Sequence, residues 1–396
     1  MNFVFISPNF PAIFRFFVIR LKENGVNVLG IGDSPFDDLH PDLKAALTEY
    51  YKVNSLEDYD AVYRGVAYFA FRYGKIDWLE SNNEYWLEQD ARLRTDFNIT
   101  TGLKSDEMER FKSKSHMKEF YRKAGIPVAR YIMVDTLENM EAFVEEVGYP
   151  VIVKPDVGVG AAATYKLKNH DDLAAFMTEP SPVPYICEEY IEGHVTTFDG
   201  VCDSNGDPIY AASHVTENSI MDMVNEHVPT FYYVTKDIPD EVWSAGCRTL
   251  KAFGASSRFF HLEFFRLTKA KEGLGEVGDI VALEVNMRPA GGYTPDMLNF
   301  AGSVDVYQIW ADMVVYDRCV HDFDGPRSYC IYAGRRDEFT YVHSGADIRA
   351  EYKDHLKIVT RMPDSLADAM GNQVFIACFD TLEETRAFAS YCFKEA

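Results

Sequence analysis

Two apolar stretches each carry a carboxylate where the sequence predicts a buried strand. Glu263 lies in the run HLEFF, and Glu284 lies in LEVNMRP together with Asn286 and Arg288. Because side chains on a strand alternate between its two faces, Glu284, Asn286 and Arg288 share one face. A buried carboxylate is costly unless it is paired or holds a metal, and oxygen ligands of this kind suit Mg²⁺. The pattern therefore predicts a magnesium-nucleotide site beside Arg288, which would receive an anion.

Further basic side chains extend the set of candidate residues. His261 lies two residues before Glu263 and therefore on the same predicted face. Arg335, a second candidate catalytic cation, neighbours Arg336 in an acidic chain, and such a pair can stabilise a transferred phosphoryl group or bind a carboxylate. The alternatives are a surface pair that balances nearby acidic residues and, at the metal strands, a buried network between Arg288 and the two glutamates.

Two lysines are placed where each could reach a phosphate. Lys154 ends the apolar run YPVIVK, just before a loop that contains Gly158, Gly160 and Thr164. The backbone amides of such a loop can supply further donors to a phosphate. Lys114 begins a charged helical segment. The alternatives are a Lys154 side chain that extends to solvent and a solvated basic face around Lys114.

The segment CEEYIEG carries three carboxylates into a glycine turn. The residues predicted here to bind the nucleotide are Glu188, Glu189, Tyr190, Ile191 and Glu192. A strand edge between two lobes presents backbone groups to an adenine, and an acidic side chain can hold ribose hydroxyls. The alternative is an acidic edge strand whose charges keep it soluble.

The elements that position these groups begin with an alternation of strands and helices. Strands are predicted at residues 2–7 and 26–31, and residues 75–84 are predicted as a further strand that ends in a polar loop. Helices are predicted at residues 13–24 and 60–73. This alternation predicts an open, mostly parallel sheet in a unit covering residues 1–103, whose strand ends face a ligand cleft.

The rest of the chain predicts a linking helix and two lobes. A charged helix over 105–124 dominates a linker at residues 104–127, and a small α+β lobe follows at residues 128–193. Residues 194–396 form a larger lobe that carries the two carboxylate strands, a helix at 240–253, a hairpin at 269–278 and a C-terminal extension. The apolar helix predicted at 305–315 is interpreted as core, with a homodimer interface as the alternative. The predicted fold class is α/β and α+β.

Composition and charge exclude several classes of partner. The chain has 396 residues and a net charge of −23, which argues against nucleic acid and anionic membranes as partners. Its seven cysteines are scattered and include no C-x-x-C pair, which favours reduced thiols in a cytoplasm over disulfides or a zinc site. The apolar N-terminus lacks a basic leading region and is interpreted as the first strand and helix.

Taken in order, these motifs resemble those of the ATP-grasp superfamily of carboxylate–amine ligases, which includes biotin carboxylase, the carbamoyl-phosphate synthetase large chain and bacterial L-amino acid ligases. The stretches that carry the resemblance are KIDWLESNNEYWLEQDARL, the segment from Lys114 to AGIPVARY, YPVIVKP, CEEYIEG, HLEFF and LEVNMRPAGG. The resemblance extends over nearly the whole chain. The resemblance implies an ATP-grasp fold behind an N-terminal Rossmann-like domain.

The resemblance also implies roles for the candidate residues. Lys114 and Lys154 would contact the α- and β-phosphates under the loop from Gly158 to Thr164, and Glu188 with the backbone near Tyr190 would hold adenine. Two Mg²⁺ ions, with Mn²⁺ as an alternative, would bind Glu263, Glu284 and Asn286, and Arg288 would meet the transferred phosphoryl group. The chain departs from the family pattern in four places. Ser113 replaces the usual Asp, and the loop has fewer glycine and serine residues. The usual acidic ribose contact is absent, with Glu192 and Glu226 as the candidates to replace it, and Met287 replaces a common proline.

The expected reaction is the ATP-dependent joining of a small carboxylic acid or amino acid to an amine through an acyl phosphate, with release of ADP and phosphate. One alternative is a carboxylating or purine-pathway type of enzyme that uses bicarbonate or formate. Another is a nucleotide-binding protein without turnover. The expected partners are small molecules, with no nucleic acid and no membrane.

Overall fold

The computed structural model describes residues 1–158, 163–178, 183–217 and 230–396, and its first sheet is parallel with the strand order β3-β2-β1-β4. Its strands are β1 (Asn2–Ile6), β2 (Asn27–Gly32), β3 (Glu49–Lys52) and β4 (Trp78–Glu80). Four helices accompany them: α1 (Arg15–Glu23), α2 (Pro41–Ala46), α3 (Tyr59–Tyr73) and α4 (Leu87–Asp96). Both faces of the sheet are buried, since Phe3 and Phe5 pack in one core cluster and Val4 and Ile6 in another. Two-sided burial of this kind is typical of parallel sheets.

The second sheet is antiparallel and has the strand order β5-β8-β6-β7. Its elements are β5 (Tyr131–Met133), α7 (Leu137–Val147), β6 (Val151–Pro155), β7 (Tyr165–Leu167), α8 (His170–Thr178) and β8 (Tyr185–Glu189). Val153 and Cys187 face the two helices and share a core cluster with Met140. Because neighbouring side chains on a strand alternate, Lys154 and Glu188 lie on the opposite face of the sheet, away from α7 and α8.

The prediction of a single charged helix over residues 105–124 is wrong, because the helix is interrupted at Ser113. A 3₁₀ turn (Ser105–Glu107) and α5 (Glu109–Lys112) precede the break, and α6 (Lys114–Lys123) follows it. Ser113 has an extended backbone, forms an isolated bridge with Val157, and its hydroxyl accepts the N–H of His116 at 3.3 Å. Serine is a favoured helix N-cap, so the break starts a new helix whose first residue is Lys114.

The third sheet is antiparallel and has the order β14-β13-β9-β11-β12-β15-β17-β16, with β10 also paired to β9. Its strands are β9 (Gly193–Cys202), β10 (Pro208–Ala212), β11 (His214–Thr216), β12 (Thr230–Val234), β13 (Arg258–Leu267), β14 (Ile280–Asn286), β15 (Tyr329–Arg335), β16 (Leu356–Arg361) and β17 (Gln373–Phe379). Its helices are α9 (Asp240–Phe253), α10 (Thr294–Gly302), α11 (Val306–Tyr316), α12 (Gly345–Glu351), α13 (Asp364–Met370) and α14 (Leu382–Phe393).

Helix α11 is core, as its apolar sequence favours. All nine residues from Val306 to Val314 are buried. The Trp310 ring lies 5.6 Å from the ring of Phe3 on the first sheet and 5.0 Å from that of Phe17 on α1. The helix therefore joins the N-terminal sheet to the large sheet through one shared hydrophobic cluster.

Each of the three sheets takes its strands from one stretch of the chain: residues 2–80, 131–189 and 193–379. The domain division with boundaries at residues 103, 127 and 193 stays a prediction. A separate finding concerns the helices of the described residues, none of which is both long and apolar enough to span a bilayer.

Candidate active site

Strands β13 and β14 place the two predicted metal carboxylates directly opposite each other. In their antiparallel register Glu263 pairs with Glu284, and His261 pairs with Asn286. Burial and repulsion by Glu263 raise the pKa of Glu284, even though Lys114 acts in the other direction. Burial also opposes ionisation of Glu263, but the hydrogen bond with His261 lowers the pKa of Glu263. A divalent cation would relieve the repulsion between the two carboxylates.

The donor set suits a hard cation that keeps other ligands. Over residues 1–158, 163–178, 183–217 and 230–396, no group of three or more His, Cys, Asp and Glu side chains is placed to hold a metal. Glu263 and Glu284 would therefore supply two carboxylates and Asn286 one amide oxygen. Mg²⁺ fits such a set, because it usually retains water and phosphate oxygens in its coordination shell.

A chain of buried hydrogen bonds runs from Glu263 through His261 and Asp199 to His214. Nε2 of His261 lies 2.8 Å from Glu263 Oε1, and its Nδ1 lies 2.6 Å from Asp199 Oδ1. The other Asp199 oxygen lies 2.8 Å from Nδ1 of His214. Although burial opposes it, Asp199 raises the pKa of His261 to about 9. The sequence singled out His261 but gave no signal that Asp199 and His214 would join it, because they come from two other strands.

Lys114 connects strand β14 to the start of the predicted phosphate loop. Its Nζ lies 3.5 Å from Glu284 Oε1 and donates a hydrogen bond to the carbonyl of Gly158 at 3.1 Å. Asp156 fixes the start of α6, since its carboxylate accepts Ser113 Oγ at 2.7 Å and the N–H of Ser115 at 2.8 Å. The Ser113 departure from the family pattern is thus accommodated by a serine cap anchored to Asp156, a residue that the sequence analysis missed.

Glu188 is held by two lysines on the face of the small sheet that lies away from α7 and α8. Lys154 Nζ lies 2.9 Å from Glu188 Oε2, and Lys118 Nζ lies 2.9 Å from Glu188 Oε1. Burial opposes ionisation of Glu188, but the two lysines lower its pKa to about 2. Sequence analysis missed Lys118, although its position four residues after Lys114 places both on the same face of α6.

The other residues of CEEYIEG face different surroundings. Glu189 pairs with the Arg130 guanidinium at 2.7 Å, accepts the backbone N–H of Arg130 at 2.7 Å and pairs with Lys271 at 3.0 Å. Burial opposes ionisation of Glu189, but these contacts lower its pKa. Ile191 is part of a small hydrophobic cluster. Of the three carboxylates in this segment, Glu188 is the one that contacts Lys154.

The remaining nucleotide candidates lie around this cluster. Lys166 Nζ stands 4.1 Å above the ring of Tyr190, whereas Glu192 is exposed and pairs with Lys269 at 3.0 Å. Thr164 is half-buried just before β7. The predicted loop residue Gly160 and the alternative ribose residue Glu226 lie outside the described residues.

Arg288 meets a carboxylate from the N-terminal domain. Its Nε donates to Glu84 Oε2 at 3.0 Å, and Nη2 lies 3.5 Å from Asn286 Oδ1. Lys112 Nζ lies 2.7 Å from the other Glu84 oxygen. Burial opposes ionisation of Glu84, but the two cations lower its pKa. Glu84 was missed as a site residue, although it follows β4 in the polar loop that was predicted to face the cleft.

Arg335 is not brought together with these residues. Its guanidinium lies 3.8 Å from the centre of the Tyr341 ring, and Ala333, which shares its strand face, packs in the core beneath α14. Phe259 shares a strand face with Glu263. It packs in the hydrophobic cluster that contains Trp310, on the side of the sheet away from α14. Arg335 and Glu263 therefore lie on opposite faces of the large sheet, so the predicted catalytic role of Arg335 has no support from this geometry.

Comparisons with known sequences point to ATP-binding proteins. Residues 113–184 match the family model described as the carbamoyl-phosphate synthase L chain, ATP binding domain. The uncharacterized protein y4rH of Sinorhizobium fredii is 23% identical over 70% of this chain and 62% of its own length. An L-arginine-specific L-amino acid ligase of Bacillus subtilis is 33% identical over 25% of each chain. The chain thus matches less than two thirds of the length of these curated relatives.

Solved structures match over nearly the whole chain. An L-amino acid ligase from Bacillus licheniformis has a TM-score of 0.72 at 15% identity, covering 98% of this chain and 95% of its own. The biotin carboxylase domain of a Hydrogenobacter thermophilus 2-oxoglutarate carboxylase, in complex with MgADP and bicarbonate, has a TM-score of 0.67 at 16% identity, covering 100% and 90%. The N5-carboxyaminoimidazole ribonucleotide synthetase of Thermotoga maritima gives 0.67 at 15%, covering 98% and 96%. At these identities the likeness shows the fold and confirms the predicted fold class.

Proposed function

Because the chain has the ATP-grasp fold, we propose that it is an ATP-dependent ligase that joins a carboxylate to an amine. Fold alone does not assign a reaction, so the proposal rests on the site. The observation that carries it is the facing pair Glu263 and Glu284, with Lys114 Nζ 3.5 Å from Glu284. Two opposed carboxylates beside buried lysines suit a cation-bound polyphosphate.

The residues divide into a nucleotide end and a reaction end. Lys114 and Lys154 would bind the α- and β-phosphates, and Glu188 would face the base. Glu263, Glu284 and Asn286 would hold Mg²⁺, with Mn²⁺ as a substitute. When bound, the cation neutralises charge on the β- and γ-phosphates.

Arg288 occupies the reaction end of the cleft. Its guanidinium is oriented by Glu84 and Asn286, so it is positioned to bind a substrate carboxylate or the transferred phosphoryl group. A carboxylate oxygen attacks the γ-phosphorus, ADP leaves and an acyl phosphate forms. An amine then attacks the acyl carbon and phosphate leaves. Holding both substrates in one cleft supplies proximity and keeps water from the acyl phosphate, so no side-chain nucleophile is required.

The proposed acid is an amino acid or another small carboxylic acid. The likeness to L-amino acid ligases favours this choice, whereas the bicarbonate-bound biotin carboxylase domain keeps a carboxylating reaction as the alternative. The cytoplasmic location and the homodimer stay predictions.

The test is phosphate release from Mg-ATP across a matrix of amino acids and small carboxylic acids, with products identified by mass. We expect release that depends on one acid and one amine, and a product mass equal to their sum minus water. Hydroxylamine should replace the amine and trap the acyl phosphate as a hydroxamate. Omitting the acid should abolish both signals.

Other outcomes would redirect the assignment. Release that depends on bicarbonate or formate would replace the proposal with the carboxylating alternative. ATP binding without release under any combination would favour a nucleotide-binding protein without turnover.

A further inference from the structure

The cluster of Lys118, Glu188 and Lys154 contains one more positive charge than negative charge. Side-chain exposure is only 4% for Lys118, 8% for Glu188 and 11% for Lys154. Each lysine Nζ is 2.9 Å from a different oxygen of the same carboxylate. A surplus buried cation is costly by itself, and its cost falls when an anion binds next to it.

Lys154 has to change partners under the proposed function. Its ammonium is held by Glu188 in this structure, whereas its proposed role is to bind a phosphate of ATP. If Lys154 left Glu188 without another partner, a buried carboxylate would remain uncompensated, which is strongly unfavourable. Lys118 removes this difficulty, because it already holds the second Glu188 oxygen.

Lys118 itself is poorly placed to move. Its Nζ lies 5.4 Å from the centre of the Tyr131 ring and is nearly enclosed. It projects from α6, whose first turn is tied to Asp156 by Ser113 and Ser115. Lys154, by contrast, ends a strand next to the predicted phosphate loop.

We propose that Lys118 is the resident counter-ion of Glu188, which frees Lys154 to bind the polyphosphate of a nucleoside triphosphate. This inference rests on the proposed function and adds a positioning residue to it. Lys118 acts through Glu188 and Lys154 and does not itself contact the phosphates. Without it, Lys154 and Glu188 would form a one-to-one buried pair that each incoming triphosphate would have to break.

The test measures binding of ATP, inorganic triphosphate and adenosine by calorimetry to the full chain. Lys118→Met should weaken ATP and triphosphate by about tenfold or more and leave adenosine within about twofold. Lys118→Arg should restore most of the affinity, because a guanidinium can keep the pair with Glu188. Lys123→Met, which removes an exposed lysine from the same helix, should bind all three ligands as the wild type does.

A second variant tests whether Lys118→Met weakens binding because Glu188 traps Lys154 or because the pocket is damaged. Adding Glu188→Gln to Lys118→Met removes the carboxylate that would trap Lys154, so triphosphate binding should recover. A loss of adenosine affinity equal to that of triphosphate, or no recovery in the double variant, would overturn the inference and leave the proposed function standing. Unchanged triphosphate binding in Lys118→Met would also overturn the inference and leave the proposed function standing. A wild-type chain that bound neither ATP nor triphosphate would overturn the proposed function and this inference together.

Discussion

At the scale of single residues, the site keeps charged groups where burial opposes them. Glu263 and Glu284 face each other in the register of β13 and β14, and burial together with Glu263 raises the pKa of Glu284. Such a pair does not stabilise the fold, because both desolvation and repulsion act against it. Under the proposed function the pair binds a cation, so replacement of one member should separate function from stability.

Glu284→Gln is predicted to abolish ATP-dependent turnover while the fold is kept. Glutamine has almost the same shape but cannot supply a metal with a charged oxygen, and it removes the repulsion from Glu263. Phosphate release should fall at least about a hundredfold, since a ligand of the proposed metal is lost. The melting temperature at pH 8 should equal or exceed that of the wild type.

The matched control for this variant is Glu276→Gln, on the exposed hairpin between the same two strands. Its turnover should stay within about twofold of the wild type, as expected for a surface change. Near-normal activity in Glu284→Gln would contradict the metal assignment.

The buried carboxylate of Asp90, in the N-terminal domain, should make the free energy of unfolding depend on pH. It is fully buried, accepts Ser81 Oγ at 2.6 Å, and burial together with Glu80 raises the pKa of Asp90 to about 7. Because the folded-state pKa exceeds the unfolded value, the folded state binds more protons between about pH 4 and 7. Stability from this group is therefore lost as pH rises through that window, by at most about 1.4 kcal/mol per pH unit.

Asp90→Asn removes this titration and should flatten the decline of unfolding free energy between about pH 4 and 7. The asparagine carbonyl can still accept from Ser81. Urea unfolding followed at several pH values measures the effect, with the exposed Asp106→Asn as control. Parallel pH profiles for Asp90→Asn and wild type would show that Asp90 does not titrate in this window.

At the scale of elements, the joint between β6 and α6 positions the lysines. Asp156 follows Lys154 by two residues and holds the start of α6, so one residue ties Lys154 to the helix that carries Lys114 and Lys118. The backbone N–H of Lys114 also donates to the carbonyl of Asp156 at 2.9 Å. The small lobe and the helix should therefore move as one unit when the cleft closes.

Asp156→Ala is predicted to loosen this joint. It removes two hydrogen bonds at a helix start, which should cost about 1–2 kcal/mol of stability. Because the lysines lose their common anchor, the KM for ATP should rise more than kcat falls. Steady-state kinetics and thermal melting measure the two effects, with the exposed Asp171→Ala as control. A change in kcat alone would contradict a positioning role.

At the scale of the whole molecule, the N-terminal sheet and the large sheet share one hydrophobic cluster. Helix α11 lies in this cluster, and Trp310 contacts Phe3, Phe5 and Phe17 with ring centres 5.0–6.4 Å apart. This packing holds the domain that carries Glu84 against the sheet that carries Arg288. The side of the cleft formed by the N-terminal domain and the large sheet is therefore fixed. The smaller lobe borders the other side.

Trp310→Ala is predicted to destabilise both parts together by about 3–5 kcal/mol, since it opens a large cavity in the shared cluster. A single urea transition shifted to lower concentration is expected, together with a raised KM for the acid substrate. The comparison variant is Trp243→Ala, whose ring is 45% exposed on α9. Two separate transitions in the wild type would contradict a shared core.

The sequence by itself determined the types of residue at the site and the local elements that carry them. The alternation around Glu284 indicated a common face with Asn286, and the apolar run before Lys154 indicated a strand end. These features depend on neighbours a few residues away, which is why periodicity and composition reveal them. The order of the motifs was also enough to indicate the fold.

Only the tertiary structure decided which of these residues meet. It set Glu263 opposite Glu284, brought Glu84 to Arg288 across 204 residues, and broke the predicted helix at Ser113. It also added Lys118 to the pair of Glu188 and Lys154 and placed Arg335 on the opposite face of the large sheet from Glu263. Register, sheet order and the face that becomes a cleft depend on contacts between distant segments, and no local pattern in the sequence encodes them.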